Sequence, residues 1–513
     1  MAAAILLCAG IRWRLRDMPL ERDEGEYAYV GQLILQGVPP YQLAYNMKLP
    51  GTYAAYAMIM AAFGQTAAGI RIGLLLVNAC TVFLIYAVGR RLLGRLGGGV
   101  SGISYAVLSI GPGVNGFAAH ATHFLVLAAV AGLWLLLRGI QSKRIVTLFF
   151  SGLCMGSAFV MKQPGALFGI FGGLYLAHTA GWSMVKLRSI AWLLVSYVVG
   201  SLLPYGTTCL ILWRDGAFAK FWFWTVDYAA QYGTSWGHTW VYFSNNVPQV
   251  IYSAVALWIL AALGLLAIGL NRKLRDTAAF VLGLLFFSAL AVSTGFYFRF
   301  HYFILLLPAL ALLIGIAIAS AATYASSRDS IQRYFPLVIF ALAVFSCVLQ
   351  QEYFFFRADP VLASRHVYPA DPFPEAAAMG LWLRGHSSPD QPIAVLGSEP
   401  QILFYARRRS ATGYLYSYSF MEEHKYASAM QREAIGEIEA AQPAFVVFVR
   451  DWMILPHSDM TFLHWSDAFL KNHYDLIGVM RQGDGFQLRP SSEAATSSLR
   501  QNGALFLYRR KPS

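Results

Sequence analysis

Three carboxylates stand close together near the beginning of an otherwise apolar chain. Asp23, Glu24 and Glu26 fall within "RDEGEYAYVGQLILQG", residues 22–37, although only 13% of the 513 residues are charged. A carboxylate can serve as the general base that takes a proton from an attacking hydroxyl, which typically contributes a factor of about 10²–10⁴ to a rate. The alternative is plain helix capping, because Asp is a favoured N-cap residue and Glu suits the first turn of a helix.

Basic side chains that could hold an anion occur in three further segments. Lys48 lies in "YNMKLPG", Lys162 is one charge within the apolar stretch "GLCMGSAFVMKQPGALFGIFGG", and Arg299 and His301 precede "YFILLLPALALL". A charge at membrane depth costs about 2.5 kcal/mol or more, so Lys162 indicates a functional site. The alternatives are that Lys48 snorkels to lipid headgroups and that Arg299 and His301 anchor a helix at the interface.

Histidines and cysteines give little support for a metal site. His120 and His123, in "HATH", share a helix face and could supply two zinc ligands, although such histidines more often make structural hydrogen bonds. The five cysteines are scattered singly in apolar segments, and no pair has the spacing of metal ligands. A divalent metal is therefore an option that the spacing does not support, and no other cofactor is predicted.

The elements that must position these residues are membrane helices. The chain is 57% hydrophobic, its mean hydropathy is +0.51, and repeated apolar runs of about 18 residues or more indicate transmembrane helices. Apolar spans are predicted near residues 72–89, 100–118, 121–137, 145–161, 164–180, 190–213, 248–270, 278–297, 302–322 and 335–351. The formal net charge of +13 reflects short basic loops between these spans, and no basic domain of the kind that binds nucleic acid is present.

Basic residues occur in every second loop, which predicts the topology. They are Arg90, Arg91 and Arg95, then Arg138, Lys143 and Arg144, then Lys186 and Arg188, then Arg272, Lys273 and Arg275, and finally Arg328 and Arg333. By the positive-inside rule these loops are cytoplasmic. The carboxylates, Lys48, Lys162, Arg299 and the histidines then gather on the extracytoplasmic face. The aromatic loop 214–247 on that face suits an interfacial belt, with stacking on a sugar or a prenyl chain as the alternative.

Both ends of the chain differ from the membrane region. "MAAAILLCAGIRW" is too short to span a bilayer and Arg12, Arg14 and Arg16 would lie on the outer side, so we expect further residues before it. From residue 353 onward, helices alternate with short apolar strands in "PIAVLGS", "AFVVFV", "YDLIGVM" and "ALFLYRR", which predicts a small α/β domain over 353–513. That domain has no nucleotide-binding glycine motif. Arg407–Arg409 is predicted to be a solvated or headgroup-facing patch, with contact to an anionic acceptor as the alternative.

Together, an acid group and several cations at one membrane face suit transfer from a lipid-linked phosphosugar. The acceptor hydroxyl must lose a proton to a base, and the departing lipid phosphate develops negative charge that cations stabilise. The main alternative is a transporter or flippase of a lipid-linked or anionic solute. Transport proteins tend to place charges at mid-membrane and often contain inverted repeats, whereas these charges gather at one face and no repeat is visible.

The motifs resemble those of a known family. "RDEGEYAYVGQLILQG", followed by "PPY" and "YNMKLPG", resembles the first extracytoplasmic loop of the polytopic lipid-phosphosugar-dependent glycosyltransferases of the GT-C type. These include protein O-mannosyltransferases, aminoarabinose transferases and bacterial family 39-like and Rgt-like enzymes. Leu49 separates Lys48 from Pro50, where the family has Lys-Pro. "GSAFVMKQPGALF", "RFHYFILLLPALALL" and "GRRLLG" resemble weaker segments, so the resemblance covers roughly residues 20–320.

The resemblance implies an inverting glycosyltransferase that uses a polyprenyl-phosphate sugar. The implied fold is a polytopic helical membrane domain of about 10–11 transmembrane helices, residues 1–352, whose first outer loop 17–68 carries the acidic motif. Asp23 and Glu24 are the implied catalytic carboxylates, with Asp23 the base. Lys48, Lys162, Arg299 and His301 would hold the donor phosphate, and Tyr27, Glu26 and His120 would position substrate. Many relatives have an acidic residue where this chain has His120.

These implications define the expected partners and location. The donor would be a polyprenyl-phosphate sugar, and the acceptor a hydroxyl on a glycolipid, polysaccharide or protein. The protein is expected in a bacterial-type inner membrane, with its active site and C-terminal domain extracytoplasmic. Membrane lipids are the other expected partners, and nucleic acid is excluded.

Overall fold

The computed structural model describes residues 2–180, 187–232, 236–271, 274–326, 332–449, 459–481 and 505–512. The predicted cytoplasmic residues Lys186, Arg272, Lys273 and Arg328 lie outside the described residues, as does a short part of the aromatic loop. The helices of the first 350 residues are α1 (Ala2–Arg14), α2 (Arg22–Leu35), α3 (Gly51–Phe63), α4 (Ala67–Leu108), α5 (Ala121–Ser142), α6 (Ile145–Met161), α7 (Gly165–Ala180), α8 (Leu187–Arg214), α9 (Phe218–Trp222), α10 (Trp236–Tyr252), α11 (Val255–Leu270), α12 (Arg275–Ser293), α13 (Leu307–Ser326) and α14 (Phe335–Gln350).

Several of these helices are long and apolar enough to cross a membrane. Among the described residues, five helices have both the length and the composition for a full span, in α4, α5, α8, α12 and α13. The helices α10 and α11 form one more candidate, bent by 95° between Tyr252 and Val255. Four shorter apolar helices, α3, α6, α7 and α14, accompany them. The predicted polytopic helical fold is therefore confirmed.

The two spans predicted within residues 72–118 form the two halves of α4. Gly94 interrupts the helix with φ of +77°, a conformation that glycine adopts without strain. A Cβ on Gly98 would lie 2.5 Å from the backbone nitrogen of Arg90, so the halves pack closely against each other after the reversal. The second half ends at Leu108 rather than at residue 118, and a short 3₁₀ turn at Pro112–Val114 follows.

Arg12 and Arg14 of α1, which the predicted topology places on the outer side, bind backbone carbonyls. Arg12 is 2% exposed and donates to the carbonyl oxygens of Ser109, at 3.2 Å, and Gly116, at 2.9 Å. Arg14 donates to the carbonyls of Phe354, Phe355 and Ala358 at 2.6–2.9 Å. These donors satisfy carbonyls that irregular backbone leaves unpaired, so the arginines stabilise the outer turns of the membrane region.

The chain after residue 353 contains the predicted α/β elements. Its strands are β1 (Ile393–Leu396), β2 (Phe445–Phe448), β3 (Tyr474–Met480) and β4 (Leu505–Arg510), in the order β1-β2-β4-β3, with β1 and β2 parallel and the other pairs antiparallel. All four strands were predicted. The helices here are α15 (Pro360–Val367), α16 (Phe373–His386), α17 (Gln401–Ala406), α18 (Tyr418–Met421), α19 (Ala427–Ala441) and α20 (Thr461–His473). A domain boundary near residue 353 stays a prediction.

The sheet region packs directly on the acidic helix α2. A Cβ on Gly25 would lie 2.4 Å from Cβ of Gln401, so α2 and α17 are in close contact at that point. The Ser410 amide donates to the Tyr29 hydroxyl at 2.8 Å, and the Tyr45 amide donates to the Gly413 carbonyl at 2.7 Å. The position of α2 therefore depends on residues almost 400 positions further along the chain.

Replacing Gly25 with Ala tests this contact. Because the new methyl group would overlap the backbone and side chain of Gln401, we expect a destabilisation of about 1–3 kcal/mol, seen as a lower thermal midpoint of the purified protein. The matched control is Gly99→Ala, since a Cβ on Gly99 in α4 meets nothing within 4 Å. A midpoint unchanged in both variants would contradict the close contact.

Candidate active site

The first turn of α2 is capped by a residue that the sequence analysis did not select. Glu21 is the N-cap: its Oε1 accepts from the Glu24 amide at 2.8 Å, and Glu24 Oε2 accepts from the Glu21 amide at 3.3 Å. This is a capping box. The alternative that Asp23 caps the helix is therefore wrong. Asp23 is the second residue of the helix, and its carboxylate accepts from Lys48 instead of capping the helix.

Glu24 forms a buried ion pair with the membrane region. It is fully buried, and its two carboxylate oxygens accept from the Arg71 guanidinium, one of them at 2.7 Å from Nη2. The same carboxylate accepts from the Ala119 amide at 2.5 Å. Glu24 lines neither of the cavities described below. The structure thus separates Glu24 from the other residues predicted to form the site.

Asp23, Glu26 and Lys48 form a second charged cluster. Lys48 Nζ donates to Asp23 Oδ1 at 2.7 Å and to Glu26 Oε2 at 2.5 Å. Glu26 also accepts from the Tyr53 hydroxyl at 2.5 Å, and the Lys48 ammonium lies 4.6 Å from the ring centre of Tyr27. Asp23, Glu26 and Tyr27 reach one lysine because residues three and four apart share a helix face. The structure therefore brings Lys48, which was predicted to hold the donor phosphate, into direct contact with the acidic motif.

The charges around Asp23 keep it ionised. Burial alone would raise the pKa of Asp23, but the Lys48 ammonium, with His301, His120 and Arg299, lowers that pKa well below its usual value. Burial and the Asp23 charge raise the pKa of the neighbouring Glu21 to about 8. At neutral pH, Asp23 is therefore a carboxylate that can accept a proton, whereas Glu21 holds one.

Lys162 and Arg299 meet Lys48 in a cavity of about 230 Å³, here called the cation-lined cavity. The Lys162 ammonium lies 4.0 Å from the ring centre of Tyr302, and the Arg299 guanidinium 5.3 Å from that of Tyr297. Within the described residues, neither cation has a carboxylate at ion-pair distance. Met161, Leu305 and other apolar side chains complete the walls. Cations without a carboxylate partner beside apolar walls form a site for an anion with an apolar tail.

A second cavity, of about 370 Å³, is also lined by Asp23 and is here called the polar cavity. Its walls come from the loop before α5, from α10, from the segment before α13 and from residues 367–373. Asp23, Arg299 and His301 line both cavities. Asp23 therefore stands at the junction of a cationic and a polar compartment.

The histidine that pairs with His120 is His301, and not His123 as the sequence spacing suggested. His120 and His301 stack with ring centres 4.0 Å apart and an interplanar angle of 15°. One ligand atom from each of Asp23, His120 and His301 lies within 4.8 Å of the others. Two imidazoles and a carboxylate suit zinc or a similar divalent ion, so these three could hold a metal. His123, proposed as the partner of His120, is buried beside it and is not part of this group.

Residues from the C-terminal region also reach the site. The Tyr416 hydroxyl lies 3.5 Å from both Lys48 Nζ and Asp23 Oδ1, and Tyr418 lines the cation-lined cavity. Alternation of tyrosines in "GYLYSYSF" could have indicated an extended segment with one aromatic face, but nothing in the sequence indicates which element it would contact.

The arginines of residues 407–409 do not form one solvated patch. Arg408 is buried and donates to the carbonyls of Arg384, Ser387, Ala406 and Arg407, which is a structural role. Arg407 and Arg409 are exposed. The part of the prediction that concerns Arg408 is therefore wrong.

Known proteins resemble this chain in the sequence of one segment and in the overall fold. Residues 48–207 match the family model of dolichyl-phosphate-mannose-protein mannosyltransferases. The fold is similar to that of ArnT from Cupriavidus metallidurans bound to undecaprenyl phosphate, with a TM-score of 0.61 and 15% identity over 91% of this chain and 94% of that chain. It is also similar to the oligosaccharyltransferase AglB from Archaeoglobus fulgidus, in complex with an inhibitory peptide and a dolichol-phosphate. That match has a TM-score of 0.55 and 11% identity over 100% of this chain and 76% of that chain.

The fold class is therefore that of the GT-C membrane enzymes. The predicted similarity of the chain to glycosyltransferases that use lipid-phosphate sugar donors is confirmed by the family model and by these solved structures. No curated protein sequence matches the chain.

Proposed function

We propose that this protein transfers a sugar from a polyprenyl-phosphate donor to an acceptor hydroxyl at the outer face of the membrane. The observation that carries the proposal is the position of Asp23, a carboxylate that lines both the cation-lined cavity and the polar cavity. In an inverting transfer the acceptor oxygen attacks the anomeric carbon on the face opposite the departing phosphate, so a base reached from a donor cavity and from an acceptor cavity suits the reaction. The similarity to ArnT and AglB, whose structures contain polyprenyl phosphates, supports a lipid-linked donor.

The donor phosphate is assigned to the cation-lined cavity. Lys162 and Arg299 are free of carboxylate partners among the described residues, and Lys48 lies beside them. Preorganised cations stabilise the negative charge that develops on a departing phosphate, and they do so more strongly in an apolar site than in water. The prenyl chain would extend along the apolar walls toward the membrane. His301, buried between the two cavities, would contact the phosphate or the sugar.

The chemical step then follows from the geometry. Asp23 takes the proton of the acceptor hydroxyl, the acceptor oxygen forms a bond to the anomeric carbon, and the bond from that carbon to the phosphate oxygen breaks. The electron pair leaves with the polyprenyl phosphate, and the single displacement inverts the anomeric configuration. Lys48 links base and leaving group, since it contacts Asp23 and lines the phosphate cavity.

The remaining predicted residues act through these groups. Glu26 and Tyr27 hold Lys48, and His120 lies against His301 at the polar cavity. Glu24 is assigned a structural role, because its carboxylate is fully engaged by Arg71 and the Ala119 amide. If a divalent metal is held by Asp23, His120 and His301, it would supply further positive charge beside the donor.

The proposed location is a bacterial-type inner membrane with the site facing outward. The basic residues between apolar helices predict cytoplasmic loops on the opposite side from Asp23. On this orientation the sheet region is extracytoplasmic, which agrees with its direct packing on α2.

The proposal can be tested with purified protein in lipid nanodiscs. The protein is incubated with radiolabelled undecaprenyl-phosphate sugars and a membrane glycolipid extract, with Asp23→Asn as the control. Label that moves to an extract component with the wild type alone supports transfer. In matched proteoliposomes, movement of labelled lipid between leaflets without transfer would favour the transporter instead.

The role of Lys162 gives a prediction about pH. Burial, with the charges of Lys48 and Arg299, lowers the pKa of Lys162 to about 7. Because a bound phosphate favours the charged ammonium, binding above pH 7 must be accompanied by proton uptake. We therefore expect the affinity for undecaprenyl phosphate to fall by up to about tenfold per pH unit between pH 7 and 9, measured with labelled lipid in nanodiscs.

The matched variant is Lys162→Arg, because arginine stays charged over this range. Its affinity is expected to change less with pH than that of the wild type. Ionisation of the lipid affects both proteins equally, so the difference between their pH profiles reports the contribution of Lys162. Identical pH dependence in both proteins would show that Lys162 does not contact the phosphate.

A further inference from the structure

The polar cavity contains buried polar atoms that lack partners. Among the described residues, the Tyr368 hydroxyl and both ring nitrogens of His120 are buried without a hydrogen bond, although His120 Nδ1 lies 3.6 Å from Glu21 Oε1. All three of these residues line the polar cavity. An unsatisfied buried polar group costs about 1–3 kcal/mol, so such groups indicate a ligand that completes them.

The charges of the polar cavity do not suit an anion. Glu21, Asp23 and Asp371 contribute three carboxyl groups to its lining. Arg22 already donates to Asp371 at 3.0 Å and to Glu399 at 2.7 Å, and Arg299 also lines the cation-lined cavity. With Glu21 protonated and Asp371 paired with Arg22, Asp23 offsets Arg299, so the lining has no surplus positive charge to neutralise a phosphate. The lining therefore favours a neutral ligand over a phosphorylated one.

The neutral groups of the cavity surround a ligand on several sides. Asn115 comes from the loop before α5, and Asn246 from α10. Tyr242 on α10, Tyr297 before α13 and Phe373 at the start of α16 supply aromatic surfaces. Amide and hydroxyl groups that approach from different directions match a molecule with hydroxyls all around its edge, whereas aromatic faces accept its less polar surface.

We infer that the polar cavity binds a neutral carbohydrate, and that a sugar hydroxyl held there is the acceptor. This inference rests on the proposed transfer from a polyprenyl-phosphate sugar, and it names the acceptor class for the same site. Tyr368 is a positioning residue, which donates to a ring or hydroxyl oxygen of the acceptor sugar. The product is a glycoside between two sugars, rather than a glycosyl phosphate or a glycosylated serine or threonine.

The chemical class of the product tests the acceptor assignment. Purified protein is given radiolabelled undecaprenyl-phosphate sugar and a total membrane extract, and the labelled product is treated separately with mild acid and with protease. A label that survives both treatments and is released only by strong acid is the expected result. Release by mild acid would show a phosphate acceptor, and conversion to small fragments by protease would show a protein acceptor. Either result would overturn the inference while leaving the transferase proposal intact, whereas no transfer at all would mean that the proposed function fails.

Tyr368→Phe tests the site itself. The change removes one hydrogen bond and keeps the ring, so the apparent KM for the acceptor extract, measured by dilution, is expected to rise about three- to tenfold. The affinity for labelled undecaprenyl phosphate should stay within twofold of the wild type. Tyr353→Phe is the matched control, because Tyr353 is 44% exposed and outside both cavities. An unchanged acceptor KM in Tyr368→Phe would place the acceptor elsewhere.

Discussion

Replacing Asp23 with Asn is expected to reduce turnover by about 10³-fold while the protein stays folded and binds its lipid donor. The amide has nearly the same shape as the carboxylate but cannot accept a proton, and a positioned general base contributes about 10²–10⁴ to a rate. Lys48 keeps its contact with Glu26 at 2.5 Å, so the cation-lined cavity should retain most of its charge. Single-turnover transfer from a radiolabelled donor measures the chemical step directly.

The matched control for this variant lies six positions earlier. Asp17→Asn makes the same chemical change at an exposed side chain whose nearest ion-pair partner is Arg16, at 3.6 Å. It is expected to leave turnover and lipid binding unchanged. If Asp23→Asn turned over at the wild-type rate, the base would have to be another group. If it lost donor binding as well, Asp23 would contribute mainly to arranging the cations.

Replacing Arg71 with Met is expected to prevent stable folding. The change leaves the fully buried Glu24 carboxylate without its guanidinium, and breaking a buried ion pair by removing one partner costs about 3–5 kcal/mol. This cost is a large part of the net free energy of unfolding of a typical protein. We therefore expect a low yield of monodisperse protein and a markedly lower thermal midpoint. Arg95→Met, at an exposed position of α4, is the matched control and should behave like the wild type.

The double variant Glu24→Gln/Arg71→Met distinguishes the two roles considered for Glu24. A neutral amide can still accept from the Ala119 backbone, and no buried charge remains unpaired. Folding should therefore recover, and transfer should return to at least about a tenth of the wild-type rate. A double variant that folds but is inactive would show that Glu24 takes part in catalysis, as its place in the acidic motif predicts.

The sequence predicts much of the fold because its signals are local. Hydropathy locates most of the apolar helices, although it misses α3 and extends the second half of α4 to residue 118 instead of Leu108. Short apolar runs between helical segments locate all four strands of the described residues. The differences arise where tertiary packing decides. The 95° bend between α10 and α11 changes the direction of the chain within the single span predicted at 248–270. The reversal at Gly94, in contrast, falls in the basic loop that the sequence predicts between two spans.

The candidate site is predictable only in part, for a related reason. Asp23 and Lys48 can both be selected from the sequence as site residues, but their contact appears only in the structure. The sequence does not identify Glu21 as the N-cap, because its capping role depends on the extended backbone conformation of that residue. Tyr368 and Tyr416 lie more than 340 residues from Asp23 along the chain, and only the packing of the sheet region on α2 brings them near it.

That packing has a consequence for how the protein is made. Strand β4 lies between β2 and β3 in the sheet, so the sheet is complete only after residues 505–510 have been synthesised and have paired. Gln401, Ser410 and Gly413 contact Gly25, Tyr29 and Tyr45 from that region. The membrane helices can insert one after another during translation. On the proposed topology, however, Asp23 and Lys48 gain their final surroundings only when these late segments have crossed the bilayer. An unfinished or stalled chain would thus be inserted without a completed site.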